Sequence, residues 1–205
     1  HKTERFGADD LRVAPSYENI GNTLTAQGRF KEARQSYERS LAIKTKALGE
    51  DHPSVATSKM NLGVALFSMG EYRRAEELYG ETLEVWTERL GPEHADVGLV
   101  YTNLGDVHAA TGRYRSAAKY QSDAARLFGK AWGEDNPDIG WPLTGLGLAR
   151  LGMGDADGAI EAFERARKLR ETPAAALPEG ERARMDFGYA RALAKKGQHE
   201  KARKV

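Results

Sequence analysis

Five histidines, a Gly-x-Gly pair and an Asp-x-Asp pair are the residues of this 205-residue chain whose types and spacing suggest chemistry. Histidine is the usual candidate for a metal ligand or a general base. His52 and His94, however, stand 42 residues apart in matching surroundings, Leu48-Gly49-Glu50-Asp51-His52-Pro53 and Leu90-Gly91-Pro92-Glu93-His94-Ala95, and read as two helix starts rather than one ligand set. His108 occupies the position of Leu24 and Leu66, which makes it a packed or groove-edge side chain rather than a base. Gly145-Leu146-Gly147 imitates a dinucleotide fingerprint, but it lies in a helical pattern and the third glycine is missing. Asp155-Ala156-Asp157-Gly158 opens like a calcium loop, yet it fills the tight turn that Glu71-Tyr72-Arg73-Arg74 fill elsewhere. No HExxH, GxxxxGK[ST] or GxSxG is present. No catalytic, cofactor-binding or metal residue is assigned, and the chain reads as a non-enzyme.

The elements that place these residues repeat with a fixed step. Asn19, Asn61 and Asn103 recur every 42 residues, as do Gly21, Gly63, Gly105 and Gly147, and Gly28, Gly70, Gly112 and Gly154. Each period reads as two helices. First helices are expected near 11–27, 95–111 and 137–153, with Pro53 at the first position of another, and second helices near 31–48, 73–90, 115–132 and 157–172. Gly49 stops one helix and Pro53 opens the next, with Asp51 or His52 accepting from the free amides between. A glycine inside a helix costs on the order of 1 kcal/mol relative to alanine, so the Gly21 series calls for a close helix–helix contact. Ala33, Ala75, Ala117, Ala159 and Ala202 mark the small position of the second helices. No period-two signal appears, and the fold class is all-α.

The register divides the chain into repeats at 11–52, 53–94, 95–136 and 137–180, with a partial fifth at 181–205 and residues 1–10 as the end of a preceding one, all within a single array. The 173–180 connector is irregular, and Gly197 falls one residue late, 43 after Gly154. The chain reads as an excised segment of a larger protein.

Composition narrows function further. Apolar residues at 40% and charged residues at 30% fit an ordered chain, and a net charge of +1 gives no global attraction to nucleic acid or an anionic membrane. No run of eighteen apolar residues is present, so no membrane span is expected. The absence of cysteine is compatible with a cytoplasmic setting, which is the expected location.

Leu62, Gly63, Leu66, Gly70, Tyr72 and Ala75 carry the pattern L-G-x-x-L-x-x-x-G-x-Y-x-x-A, and here the chain resembles the tetratricopeptide repeats. The common repeat of that family is about 34 residues. The 42-residue form with L-G-x-x-H-P, as at Leu48-Gly49-Glu50-Asp51-His52-Pro53, is similar to the repeats of kinesin light chain and its bacterial relatives. The resemblance implies a right-handed superhelical α-solenoid of antiparallel helix pairs, with a concave groove lined by first helices. Counting one helix face then places Asn19, Asn22, Met60, Asn61, Val64, Phe67, Thr102, Asn103 and Asp106 in that groove. From the later repeats Trp141, Thr144, Leu148, Leu151, Arg184, Arg191 and Lys195 join them. An asparagine amide offers two donors and an acceptor, so a ladder of them can pair with an extended peptide backbone; the alternative is that the asparagines only bond between neighbouring helices. The carboxylate-clamp type of the family is not expected, because Val64 and Asp106 stand at equivalents of Asn22.

From Arg165 onward, twelve Lys/Arg stand against five Asp/Glu, which favours an acidic partner segment or nucleic-acid phosphate unless the surplus is a solvated face. The expected function is an interaction scaffold or sensor binding a protein or peptide, without a small-molecule substrate, nucleic acid or membrane as partner. Two alternatives stand beside it. One is the regulatory array of a multidomain enzyme (a Ser/Thr kinase, a STAND-type ATPase or a caspase-like protease), which the resemblance suggests. The other is self-association through uncapped ends.

Overall fold

The computed structural model describes Gly7, residues 10–170 and residues 179–205. Most of the expected preceding-repeat tail at 1–10, and the connector at 173–178, lie outside these residues. The described secondary structure is helical: α1 Ala14–Ala26, α2 Phe30–Leu48, α3 Pro53–Ser68, α4 Tyr72–Leu90, α5 Ala95–Ala110, α6 Tyr114–Trp132, α7 Gly140–Gly152, α8 Ala156–Arg170, α9 Glu179–Lys195 and α10 His199–Ala202. The chain forms two compact units, residues 1–92 and 93–205. In the first, α1 packs on α2, α2 on α3, α3 on α4, and the first helices α1 and α3 also touch. In the second the same pattern runs through α5 to α10, with α7 touching both α5 and α9.

Two expected first helices begin later than the pattern predicts. Leu11–Val13 and Pro137–Ile139 are 3-10 turns that precede α1 and α7. Pro15 and Pro142 explain this, because a proline nitrogen has no proton for the carbonyl one turn back, and a tighter turn absorbs the loss.

The helix starts share one device. His52 Nδ1 accepts from Ser54 N at 3.0 Å, His94 Nδ1 from Asp96 N at 3.2 Å, Asn136 Oδ1 from Asp138 N at 2.8 Å and Asp10 Oδ1 from Arg12 N at 2.9 Å. His52 rather than Asp51 is thus the cap of α3. Second helices stop at Gly49, Gly91 and Gly133; at Gly91 φ is 88°, a conformation that only glycine takes at little cost.

The glycines within first helices have the close contact that their cost requires. A Cβ built on Gly21 would lie 2.5 Å from the Tyr37 ring, one on Gly63 2.5 Å from Tyr79, one on Gly105 2.6 Å from Gln121, and one on Gly147 2.8 Å from Phe163. These four partners are themselves one repeat position, so each second helix drives one large side chain into a glycine notch on its own first helix. Tyr79 and Phe163 are fully buried there.

Charge joins the elements at the surface. Glu93 receives Arg126 at 2.8 and 3.2 Å and Lys130 at 3.1 Å, and these hydrogen bonds hold its carboxyl at about 2, against an ordinary 4.5. A carboxyl pKa lowered by folding contributes stability above the ordinary glutamate range and loses it as pH falls toward the lowered value. We therefore expect the Glu93 pairs to persist through mild acid and to part as the pH approaches about 2. A carboxyl titration followed by NMR at low salt reads this directly, and an ordinary glutamate midpoint would show the pairs to be open.

Candidate functional site

Unit 1 presents its first helices side by side. Asn19 and Asn22 are exposed on α1, while Met60, Asn61, Val64 and Phe67 are half-buried on α3. Phe67 leans on Tyr72 with ring centroids 5.5 Å apart. The notch residue behind this face reaches through to it: Tyr37 Oη donates to Asn22 Oδ1 at 2.7 Å and lies 3.2 Å from Thr25 Oγ1. Burial raises the Tyr37 hydroxyl above its ordinary pKa and keeps it a donor. The Asn22 carbonyl is therefore turned inward and its two N–H groups outward. The side chains of Asn19 and Asn61 hydrogen-bond to no other described residue, so the reading in which these amides serve only to join neighbouring helices finds no such bond here.

A buried network lies beneath the same face, and pattern reasoning did not single it out. Lys44 Nζ donates to Glu18 Oε1 at 2.6 Å and to Ser54 O at 3.2 Å, and Ser58 Oγ donates to the same Glu18 oxygen. The one visible signal was a charge out of register, since Lys44 stands where Trp86 and Phe128 stand in later repeats.

Unit 2 departs from unit 1 at several of the expected positions. Thr102, Asn103 and Asp106 are half-buried on α5, and the Asn103 side chain hydrogen-bonds to no other described residue. Thr144 and Leu151 are corrected: each is only 4% exposed, on a helix that packs against α5, α6, α8 and α9. The Thr144 hydroxyl is spent on Gly140 O at 2.7 Å. Leu148 is half-buried and packs against the core, while Trp141 is exposed. Arg191 and Lys195 are exposed on α9, with the Arg191 guanidinium 5.6 Å from the Phe187 ring. Phe187, 66% exposed, was not expected on this face, although the one-residue shift announced by Gly197 aligns it with Thr144.

Asp106 and Arg184 come together. Arg184 Nη2 lies 2.8 Å and Nη1 3.5 Å from the Asp106 carboxylate, and Glu181 stands 3.7 Å from the same guanidinium. Burial works to lower the Arg184 pKa, and the two carboxylates outweigh it, so the group stays above the ordinary arginine value. Gln121, at the notch position that Tyr37, Tyr79 and Phe163 hold elsewhere, is 1% exposed. Its Nε2 donates to Thr102 O at 3.1 Å and to Asp106 Oδ1 at 3.2 Å. Gly145 stands where the ladder has asparagine, and a Cβ there would meet the Gln121 amide inside contact distance.

The apparent chemical motifs lie within the helices and turns of the repeat. Gly145 and Gly147 lie inside α7, and Asp155 Oδ1 accepts from Gly158 N at 2.9 Å at the start of α8. His108 is buried with its ring edge-on to Tyr120 at 5.0 Å. Among the described residues no group of three His, Cys, Asp or Glu is placed to hold a metal ion, and no helix is long and apolar enough to cross a membrane.

Two tetratricopeptide repeat family models match, one over residues 12–85 and 54–130 and the other over residues 144–205. A putative kinesin light chain from Podospora anserina with nearly identical TPR-like repeats is similar at 22% identity and a TM-score of 0.74, over 95% of this chain and 91% of that one. BtubC (BKLC) from P. vanneervenii is similar at 26% identity and 0.69, over 82% and 66%. MamA from Desulfovibrio magneticus RS-1 is similar at 19% identity and 0.60, over 93% and 89%. No curated protein matches the sequence.

Proposed function

The chain belongs to the tetratricopeptide repeat family, an α-solenoid fold that generally serves as a protein–protein interaction scaffold, and we propose that its unit 1 binds an extended peptide segment of a partner along α1 and α3. The observation that supports this most is the state of the amides. The side-chain amides of Asn19 and Asn61 hydrogen-bond to no other described residue, and Asn22 is held by Tyr37 with its donors outward. An extended peptide offers alternating N–H and C=O groups that such amides match whatever its side chains. Met60, Val64 and Phe67 add apolar contact, and none of the six residues is charged, so the segment they suit is uncharged where it lies on them.

A neutral hydrogen bond contributes about 0.5–1.5 kcal/mol net, so Asn19→Ala with Asn61→Ala is expected to weaken binding by roughly tenfold to a hundredfold. The probe is a set of dodecapeptides selected from a random phage-displayed library on the whole chain, with affinities measured by fluorescence anisotropy. Glu77→Gln, on the exposed side of α4, is expected to leave them unchanged. Equal affinity for the double variant and the parent chain would remove this assignment.

A further inference from the structure

In repeat register Leu99, Trp141 and Arg184 hold one position on three successive first helices, and Asp106, Leu148 and Arg191 hold another, two turns further along. The Arg184–Asp106 ion pair joins the first position on α9 to the second on α5, across 78 residues of sequence. Helix α7 packs between these two helices, and its ladder position is Gly145, which has no side chain. The space that an asparagine would occupy there is taken by the Gln121 amide, which holds Asp106. Three departures from the repeat, Gln121 for an aromatic residue, Gly145 for asparagine and an arginine at position 184, thus meet in one cluster. Asn103 stands one turn before Asp106 on the same helix.

We propose that the Arg184–Asp106 pair is an autoinhibitory strap, closing the first-helix face of unit 2 beside Asn103 so that a peptide engages this face only when the pair opens. The proposal rests on the reading that asparagine amides on first-helix faces bind peptide backbone. Both partners have somewhere to go when the strap opens. Arg184 keeps Glu181, one turn back on its own helix and 3.7 Å away, and Asp106 keeps the Gln121 amide at 3.2 Å. Neither charge is left buried and alone, the outcome that makes breaking most buried pairs prohibitive. The side chains are 35% and 20% exposed, so water and salt reach the pair. A face that is open only part of the time binds with an affinity reduced by the open fraction, and releasing the strap restores it.

Two variants release it by different routes. Asp106→Asn removes the charge, retains an oxygen for Gln121 and reproduces the residue found at Asn22. Arg184→Gln removes the other partner. The same random dodecapeptide library is selected on the whole chain, on each variant, and on each variant combined with Asn103→Ala, with helical circular dichroism and melting recorded for every protein. Both release variants are expected to select peptides that the parent chain binds at least about tenfold more weakly, and Asn103→Ala is expected to abolish that gain. Raising the salt to about 1 M is expected to bring the parent chain toward the variants on those peptides. Because the readout is a gain of binding, an unfolded variant cannot imitate it. Failure of both variants to yield Asn103-dependent peptides would overturn the strap, as would Asn103-dependent peptides of full affinity on the parent chain. Loss of the underlying reading shows differently: peptides selected by the parent chain would ignore Asn19→Ala with Asn61→Ala, whatever the release variants did.

Discussion

Replacing Gly63 by alanine lowers the stability of unit 1 by about 2 kcal/mol, in the opposite direction to helix propensity, which by itself favours alanine by about 1 kcal/mol. The reason is the notch. The new Cβ would lie 2.5 Å from Tyr79 Cε1 and 3.0 Å from two further ring atoms, closer than carbon atoms approach one another. The ring cannot swing aside, being 1% exposed and embedded between α3 and α4, so the helices must separate or the ring must leave its rotamer. Tyr79→Leu removes the obstructing edge and leaves a cavity in the otherwise wild-type protein, at a cost on the order of 2–3 kcal/mol. In the double variant the methyl group fills part of that cavity. Gly63→Ala with Tyr79→Leu is therefore expected to be more stable than the sum of the single changes by about 1–2 kcal/mol. Urea unfolding followed by far-UV circular dichroism measures all three. A Gly63→Ala protein as stable as the parent, or more so, would mean that the notch is not tight and that the recurrence of this glycine has another cause.

Gly145→Asn, which restores to unit 2 the amide that the ladder lacks, destabilises that unit by about 2–4 kcal/mol, counting overpacking together with the hydrogen bonds displaced. The Gln121 amide already fills the site. To make room it must give up both Thr102 O and Asp106 Oδ1 while remaining almost wholly buried, and a buried amide without partners is costly. Gln121→Ala removes the obstacle, so the pair of changes is expected to recover part of the loss. The Arg184–Asp106 contact provides the accompanying sign, because Asp106 is held from below by Gln121. Gly145→Asn is expected to speed amide exchange at the start of α9 along with lowering the unfolding midpoint. Were the midpoint unchanged, Gln121 would have space that its burial denies, and the coupling of the three departures would fail.

These two glycines mark how far a linear reading reaches. Gly63 announced a close contact because a helical glycine that recurs at constant spacing has a cost needing compensation, and the contact is present. Its partner, Tyr79, was not singled out by the sequence pattern. Gly145 looked like half of a nucleotide motif and a fault in the asparagine ladder. Its meaning depends on Gln121, and Gln121 reads as an ordinary polar residue until its register with Tyr37, Tyr79 and Phe163 is seen beside the packing. Of the residues counted onto the candidate face, Asn19 is exposed and Asn61 and Asn103 are half-buried, whereas Thr144 and Leu151 are buried. Helical spacing says which residues share a side, but the neighbouring helix decides how much of that side stays open.

The sequence by itself determined the helical pattern, its glycine stops and the family, because each of these is set by local residue choices and was repeated every 42. His52 and His94 were read as helix starts, and their cap bonds reach an amide only two residues away, although the choice between Asp51 and His52 was made by the structure. Only the tertiary structure decided that Lys44 lies buried against Glu18, that Thr144 is buried, and that Arg184 meets Asp106. Each of these depends on how different helices meet, and their separation and angle come from the packing of side chains such as Gln121 into glycine notches, a sum over many contacts that no spacing encodes.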